Sequence, residues 1–138
     1  MSSKRKANTP RFSAHISDFC NMAEEAKNDY VWNSEEVNRL NKLTQDFLHM
    51  LELDGLNYEE RAKVATKLSK CRQLRRTSKD TVEILEPFVL FLESDKGKNL
   101  LNLMKEALGK TRKVEERMVG RTYRFKVYDP TNSEQKGA

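Results

Sequence analysis

Apolar residues recur every three or four positions from Phe12 onward, a spacing that predicts an α-helix with one apolar face. Polar Asn33 and Thr44 fill two steps of the same register. Asn33-Ser34-Glu35-Glu36 is also typical of a cap that restarts a helix. We therefore expect one nearly continuous helix of about 40 residues, with a break at Asn33 as the alternative. Its apolar positions are Phe12, Ile16, Phe19, Ala23, Ala26, Tyr30, Val37, Leu40, Phe47 and Leu51.

The next residues predict a helical hairpin. Gly55 tolerates the left-handed conformation that ends helices, so a stop is expected within Leu53-Asp54-Gly55-Leu56. Asn57-Tyr58-Glu59-Glu60 has the pattern of a capping box and begins a second helix. That helix should lie antiparallel to the first, because one of its faces is also apolar. The positions on this face are Val64, Leu68, Cys71, Leu74, Val82, Leu85, Val89 and Leu92.

A third helix is expected after Pro87. Proline lacks a backbone donor and clashes with the preceding turn, so the second helix should kink or end near Leu85. Ser94-Asp95 can then cap a helix from about Gly97, which should cover the end of the hairpin. The apolar residues of this helix are Leu100, Leu101, Leu103, Met104, Ala107, Leu108 and Val114.

Residues 121–128 switch to an alternating pattern that is typical of a β-strand. Tyr123, Phe125 and Val127 share one side, and polar or charged residues share the other. A single strand leaves its ladder groups unpaired, so its partner would be a second copy or another protein. The fold class is thus mainly α, a long antiparallel helical hairpin plus a third helix, with a short C-terminal strand.

The domain organisation follows from these elements. Residues 1–11 carry four bases and no acid among polar residues, which predicts a flexible basic arm. Residues 12–128 form a single helical domain with the strand, and the polar residues 129–138 form a disordered tail.

Composition agrees with a helical protein and limits its chemistry. Apolar residues make up 37% of the 138 residues and charged residues 34%, with five Gly and three Pro. No stretch is long and apolar enough to span a membrane or to form the core of a signal peptide, so we expect a cytoplasmic protein. Cys20 and Cys71 have no partners at ligand spacing, which predicts neither a metal site, a cofactor nor a disulfide.

Charge is divided unevenly along the chain. Residues 12–56 hold nine acids against three bases, a balance of −6. Residues 61–79 hold eight bases and no acid, and residues 110–126 hold seven bases against two acids. Two interpretations of the basic helix remain open. Either the acidic helix neutralises it across the hairpin, or unpaired cations remain and bind an external anion.

The second interpretation predicts an anion-binding surface. Arg72, Arg75 and Arg76 are its most informative members, because guanidinium groups bind phosphate or carboxylate through paired hydrogen bonds. The complete set of candidate residues for binding nucleic acid or another anion is Lys63, Lys67, Lys70, Arg72, Arg75, Arg76, Lys79, Lys110, Arg112, Lys113, Arg121 and Arg124.

No motif in the sequence predicts a catalytic centre. Gly109-Lys110-Thr111 resembles the end of a phosphate-binding loop, but Met104 occupies the position where that loop requires its first Gly. His15 and His49 would lie roughly 50 Å apart on one helix. Adjacent carboxylates such as Glu24-Glu25 diverge on a helix rather than converge on one atom. We therefore expect a protein that is not an enzyme.

One resemblance extends over about residues 40–125. It is carried by Leu43-Thr44-Gln45-Asp46-Phe47-Leu48-His49-Met50-Leu51-Glu52-Leu53, by Lys67-Leu68, Lys70-Cys71-Arg72-Gln73, Arg75-Arg76 and Lys79-Asp80, and by Leu108-Gly109-Lys110, Arg112-Lys113-Val114-Glu115 and Arg121-Thr122-Tyr123. In these motifs the chain resembles uncharacterised small helical proteins of phages, prophages and low-GC Gram-positive bacteria. The resemblance implies a phage-associated setting, with the host cytoplasm as the location, and implies no particular activity.

The leading hypothesis is a non-enzymatic binding protein that uses its basic helical surface on a phosphate-bearing partner, DNA or RNA. It would be a homo-oligomer joined through its helical seam or its strand. One alternative is a phage-encoded interaction protein that inhibits a host factor or sequesters a signalling nucleotide. Another is a structural helical scaffold.

Overall fold

Three long helices make up most of the chain. A computed structural model describes residues 11–122, 124–129 and 131. Within these residues α1 spans Phe12–Leu53, α2 spans Tyr58–Glu93 and α3 spans Asp95–Val119. The mainly α fold class is confirmed. Four residues connect α1 to α2 and one residue connects α2 to α3, so each helix lies beside the next.

The first helix is continuous through Asn33, as expected from the unbroken register. Its 42 residues correspond to a length of about 63 Å. The Asn33 side chain does not cap a new helix. Instead its Nδ2 donates a hydrogen bond of 2.7 Å to the backbone oxygen of Asp29, one turn earlier in the same helix.

The hairpin turn forms as its sequence predicts. Gly55 has a φ of +57°, a left-handed conformation that any other residue would adopt only with strain. The Asn57 Oδ1 accepts a hydrogen bond of 2.9 Å from the Glu60 backbone N–H, and its Nδ2 donates to the Glu60 carboxylate over 2.8 Å. These bonds cap the first turn of α2, so the second helix begins directly after the Gly55 turn.

Two helices meet along a buried line that we call the seam. On α1 it includes Ala23, Ala26, Leu40 and Thr44, and on α2 it includes Val64, Cys71, Ser78, Val89 and Leu92. The Cys71 thiol donates to the Leu40 backbone oxygen over 3.5 Å and lies 3.4 Å from the Thr44 hydroxyl. Farther along, Ala23 and Leu92 lie in one buried cluster. Residue numbers rise on α2 as they fall on α1, so the pair is antiparallel.

The sequence predicts that α2 kinks or ends near Leu85, and the predicted end is wrong. The helix continues through Pro87 to Glu93. Pro87 cannot donate to the carbonyl of Glu83, but both residues are exposed, so water can satisfy that carbonyl. On the opposite side of the helix Val89 and Leu92 are almost completely buried. Burial of two such side chains stabilises the last turns by roughly 1.5–3 kcal/mol each, comparable to the penalty of an interior proline.

The third helix packs where the hairpin ends. Ser94 caps it, because its Oγ accepts a hydrogen bond of 3.2 Å from the Gly97 backbone N–H, and α3 therefore begins at Asp95. Leu101 joins Ala23 and Leu92 in the cluster where the three helices meet. Phe19 and Phe88 pack against that cluster.

The predicted C-terminal strand is not supported. Residues 121–122 and 124–129 contain no strand, and Tyr123 lies outside the described residues. The physical reason is that this alternating segment has no neighbouring strand to satisfy its backbone groups. Residues 1–10 of the basic arm and 132–138 of the tail also lie outside the described part of the chain.

Gly97→Ala tests the tight corner between α2 and α3. A Cβ at Gly97 would lie 1.9 Å from the Phe91 backbone oxygen and 2.7 Å from the Leu92 Cα, so we expect a loss of about 1–3 kcal/mol in the free energy of unfolding. The matched control is Gly109→Ala in the same helix, where the added methyl meets nothing within 4 Å. It should stabilise by about 0.5–1 kcal/mol. Urea unfolding of both variants measures the difference, and equal effects would contradict the close approach.

Candidate anion-binding grooves

The cations of residues 61–79 are not neutralised by the acidic helix. Six of the eight are exposed, and Arg75 and Lys79 are half-buried. Among the described residues the only ion pair joins Arg39 to Glu36, and both belong to α1. Internal neutralisation across the hairpin, one of the two interpretations of the sequence, is therefore not observed in this part of the chain.

The antiparallel register explains part of this lack of pairing. Leu40 lies beside Cys71 and Ala23 shares a cluster with Leu92. By the same register, the acidic residues 18–29 lie beside the C-terminal part of α2, whereas the basic residues 61–79 lie beside the second half of α1. Four of the nine acids, those of residues 18–29, are thus placed away from the bases. The other five, in residues 35–54, lie beside the basic part of α2 but form no ion pair with it among the described residues.

A groove between α1 and α2 collects part of the basic set, and we call it groove 1. Its volume is about 390 Å³. Three cationic side chains, Lys42, Arg72 and Arg75, line it, and no carboxylate does. The remaining lining residues are Asn41, Thr44, Gln45 and Leu48. Such a lining offers several hydrogen-bond donors and a net positive charge to an anion.

Arg75 is held in place by the facing helix. Its Nε donates a hydrogen bond to the Asn41 Oδ1, across the seam and 34 residues away in sequence. This bond occupies one nitrogen of the guanidinium, and the two terminal nitrogens make no hydrogen bond within the described residues. A half-buried arginine fixed at Nε needs little further ordering to bind a phosphate oxygen with its terminal nitrogens.

A second groove lies at the other end of α1, and we call it groove 2. It has a volume of about 340 Å³ and is lined by Arg11, Ser13, Arg112, Glu115, Glu116 and Val119. The Ser13 backbone N–H donates to the Glu115 carboxylate over 3.3 Å, which ties α3 to the start of α1. Two carboxylates oppose the two arginines here, so groove 2 is less suited to an anion than groove 1.

The pKa of Glu115 is lowered in groove 2. Hydrogen bonding from the Ser13 side chain is the largest cause, and the Ser13 backbone N–H and the charges of Arg11 and Arg112 act in the same direction, against partial desolvation. A lowered pKa means that folding favours the ionised carboxylate. The resulting stabilisation is complete above the ordinary pKa of glutamate and is lost as the pH falls through the lowered value.

The structure divides the predicted site residues into separate groups. Asn41, at groove 1, and Ser13, at groove 2, are 28 residues apart on one continuous helix, a distance of about 42 Å. Arg112 therefore lies far from Arg72 and Arg75, and the basic residues of α2 and α3 do not form one cluster. Other exposed members of the predicted set are Lys63, Lys67, Lys70, Arg76, Lys110, Lys113, Arg121 and Arg124.

Sequence reasoning missed the contribution of α1 to groove 1. Asn41, Lys42 and Gln45 belong to α1, and the net negative charge of that helix conceals them in the sequence. A signal was present, because the Gly55 turn fixes which residues of an antiparallel pair lie opposite each other. Counting outward from that turn places Asn41 near Arg72 and Arg75.

Other classes of site find no support in the described residues. His15 and His49 lie 34 residues apart on α1, roughly 50 Å along the helix axis. Within the described ranges, no three His, Cys, Asp or Glu side chains are placed to hold a metal ion. In the same residues no helix combines the length and the apolar character needed to cross a membrane.

Comparison with known proteins adds no family to these features. No protein-family model matches the chain, and no curated protein or solved structure matches it either. The function must therefore be argued from the grooves and the distribution of charge.

Ser13→Ala should raise the pKa of Glu115, because it removes the side-chain hydrogen bond and leaves the backbone N–H bond. The pKa should move toward the ordinary value without reaching it. Carbon-detected NMR titration of the Glu115 carboxyl group measures the change. Ser69→Ala, an exposed serine on α2, is the control and should leave this pKa unaltered. An unchanged Glu115 pKa in the Ser13 variant would mean that the link between α1 and α3 does not form.

Proposed function

We propose that this protein is a non-enzymatic binding protein that holds a phosphate-bearing partner, DNA or RNA, on the basic side of its helical hairpin. The observation that carries the proposal is groove 1, where Lys42, Arg72 and Arg75 converge without a carboxylate. A partner with regularly spaced negative charges would neutralise these cations and release counterions.

The spacing of the arginines supports phosphate recognition. Arg72 and Arg75 are three residues apart on α2, and Arg76 follows Arg72 by four, so the three side chains are neighbours on the helix surface. Guanidinium groups bind phosphate oxygens through paired hydrogen bonds, which a dispersed set of lysines does not provide. Asn41 further restricts Arg75.

An extended polymer suits the molecule better than a single small anion. The two grooves lie about 42 Å apart along α1, a length that duplex DNA covers in roughly 12 base-pair steps of 3.4 Å. One nucleic-acid strand held by Arg72 and Arg75 in groove 1 can therefore extend as far as groove 2, where the two carboxylates make the contact weaker. A mononucleotide can occupy only one of them.

Sequestration of a nucleotide is a second candidate. The volume of groove 1, about 390 Å³, falls within the range of small-molecule sites. This candidate shares the phosphate chemistry of the first. It differs in predicting saturable binding of one nucleotide, with no general affinity for nucleic acid.

The salt dependence of oligonucleotide binding tests the main proposal. The paired variant Arg72→Gln and Arg75→Gln should lower the affinity for a fluorescent duplex about tenfold or more, with fluorescence anisotropy as the measurement. The slope of log K against log salt should become shallower by about 1.8, since each phosphate contact contributes about 0.9. The control pair, Lys96→Gln and Lys98→Gln, removes the same charge from exposed positions of α3 outside both grooves.

Three outcomes separate the candidates. A shallower slope only in the groove variant supports nucleic-acid binding through groove 1. Equal loss in both pairs would show that net charge alone attracts the polymer. Absent duplex binding together with calorimetric titration of one nucleotide per site would replace the main proposal with sequestration.

A further inference from the structure

The chain exposes more surface than a compact monomer of its mass. Its accessible surface is 11420 Å², whereas a compact monomer of 16.1 kDa exposes roughly 7400 Å². Residues outside the described ranges explain only part of the difference. If each of them had the full surface of an unfolded chain, roughly 160 Å², the described part would still exceed a compact chain of its length by roughly a quarter.

Part of this surface is a largely apolar stripe on α2. Leu74, Thr77, Thr81, Ile84, Phe88 and Phe91 follow one another at alternating steps of three and four, as residues on one helix face do. Leu74 is 50% exposed, Ile84 77% and Phe91 42%. Three such large side chains on one face of one helix, within residues 74–91, are more than the scattered apolar residues of an ordinary surface.

A corresponding stripe runs along α1. Met22, Trp32, Leu43 and Met50 occupy it, and Met22 is 43% and Trp32 60% exposed. Leu43 and Met50 are half-buried. The stripe also contains charged residues, so its apolar members are spaced more widely than those of α2.

Helix geometry places both stripes on one side of the hairpin. Several members precede a seam residue by one position, as Met22 precedes Ala23 and Phe91 precedes Leu92, and the others share their helical register. Consecutive residues of an α-helix are rotated by about 100° about the helix axis. Because α1 and α2 are antiparallel and face each other through the seam, equal rotations bring the two stripes to the same side. We call this side the second face. Groove 1 lies on the other side, since Asn41 and Arg72 follow seam residues Leu40 and Cys71.

Charge on the second face has opposite sign at its two ends. Three acids, Asp18, Glu25 and Asp29, lie in the α1 stripe near the start of that helix. Lys63, Lys67 and Lys70 lie in the α2 stripe near the start of α2, which is the other end of the hairpin. All six are exposed, and so is Asp46, which lies in the α1 stripe beside the lysines and lowers the net charge of that end from +3 to +2. The exposed apolar residues Trp32, Leu74 and Ile84 lie between them.

We infer that the second face binds a second copy of this chain, packed face to face and turned end for end. In that orientation the acids of one copy oppose the lysines of the other at both ends, while the apolar residues meet in the middle. The arrangement has twofold symmetry, so one surface serves both subunits. No other occupant is required to satisfy both the apolar stripe and the two charged ends.

The area of the second face is sufficient for a stable dimer. Thirty-six residues of α2 extend for about 54 Å, and two helices about 10 Å apart present a surface about 20 Å wide. Each copy would thus cover roughly 1000 Å², or roughly 2000 Å² for the pair. Stable protein interfaces bury about 1200–2000 Å².

Dimerisation divides the basic residues of α2 between two roles. Lys63, Lys67 and Lys70 are neutralised by the second copy, whereas Arg72 and Arg75 remain in groove 1 on the opposite side. The inference does not rest on the proposed function, because it uses different residues and a different measurement.

The solution mass of the full chain provides the first test. Sedimentation equilibrium should give about twice the 16.1 kDa of one chain. Ile84→Glu should convert the protein to a monomer, because it places a charge in the middle of the interface without disturbing a residue that is already 77% exposed. The matched control is Leu90→Glu, on the same helix and 57% exposed, at a position that follows the seam residue Val89. It should remain dimeric.

Charge reversal tests the orientation. One variant carries Lys63→Glu, Lys67→Glu and Lys70→Glu, and the other carries Asp18→Lys, Glu25→Lys and Asp29→Lys. Each alone has ends of like charge and should be monomeric at low salt, with helicity retained by circular dichroism. Mixed in equal amounts they should form a heterodimer, which native mass spectrometry identifies from the two masses.

Several results would overturn the inference. They are a monomeric wild-type chain throughout the micromolar range, equal masses for the Ile84 and Leu90 variants, and reversed variants that do not associate when mixed. The Arg72 and Arg75 variant keeps the dimer mass in any case, so failure of the dimer and failure of nucleic-acid binding are read separately.

Discussion

The antiparallel contact between α1 and α2 determines where the charges and the apolar surfaces of this molecule lie. It depends on an apolar seam in which Leu40, Val89 and Leu92 are almost completely buried. The Cys71 thiol and the Thr44 hydroxyl approach each other across it. Because side-chain packing and the Gly55 turn both fix the register, the residues of α1 that face α2 have defined neighbours there. Site and surface residues then take their positions from that register.

Charge separation is the main consequence of this register. A hairpin with one acidic and one basic helix suggests mutual neutralisation, yet four of the nine acids of residues 12–56 lie at the end of the hairpin away from the bases of α2. Within the described residues the other five form no ion pair with those bases. Exposed cations therefore persist on both sides of α2. On one side Arg72 and Arg75 join Lys42 in groove 1. On the other side the lysines share a surface with exposed apolar residues.

The small core explains why so much apolar surface remains outside. Two helices of this length bury one line of side chains against each other, and α3 covers only the region around Ala23, Leu92 and Leu101. The C-terminal part of α2 is apolar on more than the seam side, and one partner helix cannot cover both sides. A surface of this kind is typical of chains whose core is completed by association.

The sequence by itself determined the three helices and most of their ends. Local physics sufficed for the Gly55 turn, the Asn57 and Ser94 caps and the continuity through Asn33, because these depend on residues within one turn. The predicted end of α2 before Pro87 was wrong, because the burial of Val89 and Leu92 outweighs the local penalty of proline. The predicted C-terminal strand is not supported, because a strand needs a neighbouring strand. Only the tertiary structure decided which cations share a groove, since Asn41 and Lys42 reach Arg72 and Arg75 through packing between distant segments rather than through sequence proximity.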